Sequence, residues 1–190
     1  IYIIVMIITT VVLGGIRFLD DYIKVFMKNK KGLAGIFKVV GQVAVGILVG
    51  AILFFNQDVV SKRKVLLQSE QTGEISSEWF QEKSVTTTIP FIKNNEFNYA
   101  WLVGFFNKEK AEDWAWLIFI PMVIFVVTAV SNGANITDGL DGLATGTSAI
   151  IGVVLAIFAF VSGNLVFSDY LNIMFIPESG ELTVFISAFV

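Results

Sequence analysis

Residues 39–55 read VVGQVAVGILVGAILFF, an apolar run in which Gln42 is the one polar side chain. As an α-helix these 17 residues rise about 25 Å, a little short of the ~30 Å hydrocarbon core of a bilayer, so flanking residues must complete a crossing. Gly46 and Gly50 stand four apart within it, a spacing that suits close helix packing. Two further runs have the same character. Residues 114–130 carry Pro121 in the middle, with Trp114 and Trp116 at one end as candidate interface residues. Residues 144–161 open on Thr145, Thr147 and Ser148. The run 1–18 is a fourth span, and 182–190 begins a fifth. The expected fold is all-α, a multi-pass transmembrane helix bundle.

Composition agrees. Of 190 residues, 55% are hydrophobic and 15% charged, and mean hydropathy is +0.77. A soluble domain carries about a quarter charged residues. A disordered chain is excluded by the abundance of core-forming residues, and a disulfide scaffold by the absence of cysteine. With no histidine either, the usual zinc sites cannot be built from these residues. The net charge is −3, and no long basic stretch is interleaved with aromatics, so nucleic acid is not an expected partner. Because the chain opens and closes inside apolar runs, it reads as an internal piece of a larger multi-pass protein.

Charge gives the orientation. Arg17, Lys24, Lys28, Lys30, Lys31 and Lys38 are six of the thirteen basic residues, and the positive-inside rule puts loop 19–38 in the cytoplasm. Alternation then makes 131–143 cytoplasmic as well, with 56–113 and 162–181 outside. The long outer loop combines the charged run Ser61–Lys64 with a β-prone stretch, Ser84–Ile92, broken at Pro90. It reads as a small hairpin or cap.

Two groups of polar residues stand where lipid disfavours them. Asp20 and Asp21 are adjacent at the end of the first span. Two like charges at a membrane interface are costly unless a cation or basic partner is present. On a helix they point about 100° apart, so both need not serve one ligand. A plain structural explanation is interfacial pairing with Arg17 and Lys24. The second group, Asn132, Asn135, Asp138 and Asp141, recurs every three residues, so neighbours share a helix face while first and last do not. Gly133, Gly139 and Gly142 favour a broken or tightened helix lining a polar cavity, and an ordinary Gly- and Asn-rich turn is the simpler alternative. Span parity puts both groups on one side of the membrane. Their all-oxygen donors suit Mg²⁺. Lys24, Lys38 and Arg17 could offset phosphate charge, and the chemistry favoured is phosphoryl transfer at the membrane surface. Neither a Walker-type phosphate loop nor a Rossmann glycine fingerprint occurs.

Three stretches, FLDDYIK (18–24), Lys31-Gly32-Leu33 with Lys38 and Gln42, and NGANITDGLDGLA (132–144), resemble the phospho-N-acetylmuramoyl-pentapeptide transferase family. That family belongs to the polyprenyl-phosphate N-acetylhexosamine-1-phosphate transferases. The resemblance covers nearly the whole chain, although the outer loop is longer than is usual there. It implies transfer of phospho-MurNAc-pentapeptide from UDP-MurNAc-pentapeptide to undecaprenyl phosphate, giving lipid I and UMP. The reaction would be Mg²⁺-dependent and occur at the cytoplasmic face of the bacterial inner membrane, with the lipid bilayer as surroundings and a homodimer as one arrangement. Asp20 matches the carboxylate proposed as base on the lipid phosphate, and Asp21 its partner near the metal; both are candidate Mg²⁺ ligands. Asp138 joins them as a catalytic candidate. Lys24 and Lys38 match lysines that contact phosphates or hold the site together, and Asn132, Asn135 and Asp141 line the expected substrate cleft. The family's main Mg²⁺ ligand, in a later Phe-Met-Gly-Asp motif, and its histidine-rich loop are expected beyond Val190. Two alternatives stay open: UDP-N-acetylglucosamine as donor, and a cation-coupled transporter whose intramembrane acids bind ions.

Overall fold

The structure, a computed structural model, describes residues 1–29, 31–68, 75–82, 86–89, 96–104, 111–139 and 141–190. In chain order its elements are α1 (Tyr2–Val25), α2 (Gly35–Phe55), β1 (Ser61–Gln68), β2 (Ile75–Glu82), β3 (Thr86–Thr88), β4 (Glu96–Asn98), α3 (Tyr99–Gly104), α4 (Trp116–Thr137), α5 (Leu143–Ser162), α6 (Leu165–Tyr170) and α7 (Gly180–Phe189). The helices α1, α2, α4 and α5 are each long and apolar enough to cross a membrane. The chain is a multi-pass, mainly helical membrane protein. α7, at ten residues, is a shorter apolar helix.

The chain separates into two compact units. The first holds residues 3–56 and 99–146, and so α1 to α4 without the strands. Its core is the seam between α2 and α4. Gly46 and Gly50 let the backbones come together: a Cβ at Gly46 would lie 2.8 Å from the Ile124 Cα, and one at Gly50 3.3 Å from Ile120 Cγ1. Without a water-driven hydrophobic effect inside lipid, this close van der Waals packing does the holding. At one end of the seam the Tyr99 ring meets Phe119 edge to face, with centroids 5.5 Å apart, and Phe54 packs on the same ring at 5.9 Å.

Three helices run well beyond the hydropathy pattern. α1, expected over 1–18, continues to Val25, so Asp20, Asp21 and Lys24 lie on it and not in a loop. α2 begins at Gly35, so Lys38 stands in its first turn and not in a loop. α4 continues as regular helix to Thr137, with Asp138 at its C-cap. The broken helix expected from 132 onward is therefore a helix through its first two asparagines. Its glycine, Gly133, meets no described side chain within 4 Å, and side chains on α1 and α2 pair with the polar groups of this end. The chain then turns through Gly142, whose φ of +78° suits glycine.

In the second unit, residues 57–98 and 147–190, β1 and β2 form an antiparallel hairpin running from Ser61↔Glu82 to Gln68↔Ile75. The charged run Ser61–Lys64 opens its first strand. β3 and β4 pair from Thr86↔Asn98 to Thr88↔Glu96. β3 is the described part of the β-prone stretch, while its break at Pro90 lies outside the described residues. Asn164 caps α6, its side-chain oxygen accepting from the N–H groups of Val166 at 2.9 Å and Phe167 at 3.3 Å. α7 packs on α5 through the buried Ser179, whose hydroxyl donates to the Ala159 carbonyl at 3.1 Å.

Candidate active site

The polar residues singled out in the sequence gather within the first unit, at the C-terminal ends of α1 and α4 and the N-terminal end of α2. Asp20 is the centre of the group shared by α1 and α2, and is fully buried. Lys24, one turn later on α1, donates to its Oδ2 at 2.7 Å, and Lys38, on α2, reaches the same oxygen at 2.8 Å. The backbone N–H of Leu33 donates to Oδ1 at 2.8 Å. A buried carboxylate is tolerated only when paired and hydrogen-bonded, and here two ammoniums and one amide meet that condition.

Gly32 makes this arrangement possible. Its φ of +64° turns the loop onto Asp20. A side chain there would collide with Asp20 Oδ1 and would sit 2.6 Å from Lys24 Cε. A residue with any Cβ would thus meet both a backbone penalty and a clash.

Asp21 points elsewhere. Its side chain is 61% exposed and its Oδ1 lies 4.0 Å from Lys24 Nζ. The adjacent acids are therefore chemically distinct: Asp20 organises the lysines, and Asp21 faces outward. Each lysine keeps donors beyond the one given to Asp20, since an ammonium carries three. Those donors can receive an anion such as phosphate.

The end of α4 divides its polar residues between two neighbours. Asn132 faces α2: its Nδ2 donates to Gln42 Oε1 at 3.2 Å, while Gln42 Nε2 donates to Ser131 Oγ at 2.9 Å and approaches Asn132 Oδ1 at 3.5 Å. Gln42 is itself buried. One step of three further on, Asn135 accepts from Arg17 Nη1 on α1, and Asp138 Oδ2 accepts from Arg17 Nη2 at 2.8 Å. This rotation from α2 to α1 is what a three-residue repeat on an α-helix produces. Asp141 is exposed in the following turn, and Leu140 beside it lies outside the described residues.

Sequence reasoning noticed Gln42 as a lone polar residue in an apolar span without giving it a part. It stands four residues after Lys38, on the same helix face, and that spacing was the available signal. Gly32 and Leu33 stood out only as part of the stretch that carries the resemblance, and neither the Leu33 N–H bond nor the close space at Gly32 follows from a spacing.

As a magnesium site the described residues fit only in part. No three carboxylates converge among them. Both oxygens of Asp20 are engaged by N–H donors, which disfavours it as a metal ligand. Asp21 offers one exposed carboxylate, and Mg²⁺ commonly takes one or two, with water and substrate phosphate completing its shell.

The sequence pattern of glycosyl transferase family 4 matches residues 3–185 of the chain. Among curated proteins, the phospho-N-acetylmuramoyl-pentapeptide-transferase of Flavobacterium johnsoniae is 58% identical, over 100% of this chain and 47% of that protein. The proteins of the same name from Parabacteroides distasonis and Bacteroides fragilis are 56% and 52% identical, each over 100% of this chain and 45% of their own length. The chain thus spans about half the length of the curated relatives it matches.

Proposed function

The chain belongs to glycosyl transferase family 4, and from that membership we propose that the protein it forms part of transfers phospho-MurNAc-pentapeptide from UDP-MurNAc-pentapeptide to undecaprenyl phosphate. A phosphate oxygen of the lipid attacks the sugar-bearing phosphorus of the donor. The bond to the bridging oxygen of UMP breaks, giving UMP and lipid I. Support comes from the names of the relatives and from one observation above all: Asp20 gathers Lys24 and Lys38 into a pair beside the exposed Asp21.

That arrangement suits a meeting of two anions. The lysines offset repulsion between lipid phosphate and diphosphate, which is the main demand of such a transfer. We assign Asp20 to holding the lysines, in place of the base role that the resemblance implies, because its carboxylate is buried and already accepts three N–H donors. A phosphate monoester, with a second pKa near 6, is largely a dianion at neutral pH and needs little help from a base. Any remaining proton falls to Asp21. Mg²⁺, when bound, would neutralise diphosphate charge, with Asp21 as the ligand that these residues offer. Asp138, Asn132, Asn135 and Asp141 are assigned to the wall of the substrate cleft. The reaction would take place at the cytoplasmic face of the bacterial inner membrane.

The test is UMP release by the full-length parent in detergent with undecaprenyl phosphate, with and without Mg²⁺, and with UDP-MurNAc-pentapeptide and UDP-N-acetylglucosamine offered separately. Release with the pentapeptide donor alone is the expected result. Release only with the second donor would change the sugar. No release from folded protein, together with cation flux in proteoliposomes, would replace the transferase by a transporter.

A further inference from the structure

Arg17 makes two bonds that the transfer mechanism above does not use. It stands on α1 one turn before the Asp20–Asp21 pair, and its guanidinium reaches α4 through Nη1 to Asn135 Oδ1 and through Nη2 to Asp138 Oδ2. Both ends are well exposed, with side-chain exposure of 42% for Arg17 and 56% for Asp138. Exposed ion pairs add little stability. The helices are in any case held otherwise, α2 to α4 by the glycine seam and α1 to α2 by the Asp20–Lys38 pair. Joining α1 to α4 is therefore a poor reason for this bridge.

The bridge does fix orientation. An amide side chain can present either its oxygen or its nitrogen to a cleft. Because Arg17 is donor only, it takes the Asn135 oxygen and leaves the amide nitrogen turned away as a donor. At Asp138 it occupies Oδ2 and leaves Oδ1 as an acceptor. The planar fork sets both at once, which a lysine, with its single point charge, does not. The two residues lie three apart on one helix face, so the outcome is a donor beside an acceptor, with a fixed polarity.

We propose that Arg17 is a positioning residue that orients Asn135 and Asp138 as a donor–acceptor pair for the polar nucleotide portion of the soluble substrate. This rests on the transferase reading for the identity of the substrate. Arg17 acts through its two partners and not by touching the phosphates.

The experiment uses the full-length parent and compares wild type, R17M, R17K, D138N and R17M/D138N. In R17M the KM for the nucleotide donor rises about tenfold, as expected for loss of a charged hydrogen bond's orienting effect, while kcat and the KM for the lipid acceptor stay within about twofold. R17K recovers part of the loss. R17M costs less in the D138N background than in wild type, because part of its effect passes through Asp138 and the rest through Asn135. Calorimetric affinity for UDP, read without turnover, falls by the same factor. Additive effects in the double variant, equal rises in both KM values, or unchanged UDP affinity in R17M would each overturn the proposal. Should R17M not fold, R17K carries the same comparison, and wild-type values for it would overturn the proposal equally. Wild type that binds UDP but releases no UMP would sink the transferase reading and leave this one standing on the binding result.

Discussion

Leu33 donates its backbone N–H to Asp20 Oδ1 at 2.8 Å across thirteen residues of chain, so the loop between α1 and α2 is fastened to a buried charge at the end of α1. The same carboxylate holds one lysine from each of those helices. Loop, lysines and helix ends therefore depend on one side chain.

The two adjacent aspartates should separate cleanly on substitution. Asp20→Asn leaves two ammoniums without their buried counter-charge and should cost on the order of 3 kcal/mol of stability, with loss of turnover. Asp21→Asn, at an exposed side chain, should change stability by less than about 0.5 kcal/mol while lowering turnover about a hundredfold. Unfolding of the full-length parent in detergent, followed alongside UMP release, measures both. An Asp20→Asn protein as stable as wild type would remove the organising role.

Gly32 and Gly142 share a left-handed backbone, with φ of +64° and +78°, but not the same surroundings. Gly142→Ala meets no described atom within 4 Å and should cost only the backbone term, about 1 kcal/mol. Gly32→Ala adds a collision with Asp20 and Lys24 and should cost about 3 kcal/mol, as overpacking joins the same backbone term. Thermal unfolding of the two variants side by side gives the comparison.

Opposite signs are expected at two helical glycines. Gly46→Ala places a Cβ 2.8 Å from the Ile124 backbone and should destabilise the α2–α4 seam by about 2 kcal/mol. Gly133→Ala, inside α4 and clear of described neighbours, should stabilise by about 0.5–1 kcal/mol. Unfolding in a denaturing detergent series reads both. A stabilising Gly46→Ala would mean that the helices do not meet there.

Gln42→Leu removes the partner of Ser131 and Asn132 and leaves a half-buried amide unsatisfied, at a cost of about 1–2 kcal/mol. Replacing Asn132 by Leu as well should return part of that loss, since an apolar pair leaves nothing unsatisfied. A double-mutant cycle on stability tests this coupling.

The helical fold was legible because lipid demands long apolar runs, and α1, α2, α4 and α5 all announce themselves by that rule. The ends were less legible for one shared reason. Hydropathy stops at the first polar residues, whereas a helix continues wherever those residues find partners. Lys38 belongs to α2 because Asp20 is there to receive it, and Asn132 to α4 because Gln42 is opposite. Such partners lie far away in the chain. The Asp20–Asp21 pair was visible, as was the 100° between its members. Which of them faces inward depends on where α2 packs, and no local pattern carries that.

The polar bonds of the first unit also differ in how long each must wait for its partner during synthesis. Asp20 finds Lys24, Leu33 and Lys38 within eighteen residues. Gln42 and Arg17 pair with groups 89 to 121 residues downstream. At about 5–20 residues per second, the α1–α2 hairpin can close several seconds before α4 leaves the ribosome. During that interval an amide inside an apolar helix and a guanidinium at its neighbour's end stay without their final partners. Biogenesis thus completes the lysine pair first, and the arrival of α4 is the step that seals the remaining polar groups.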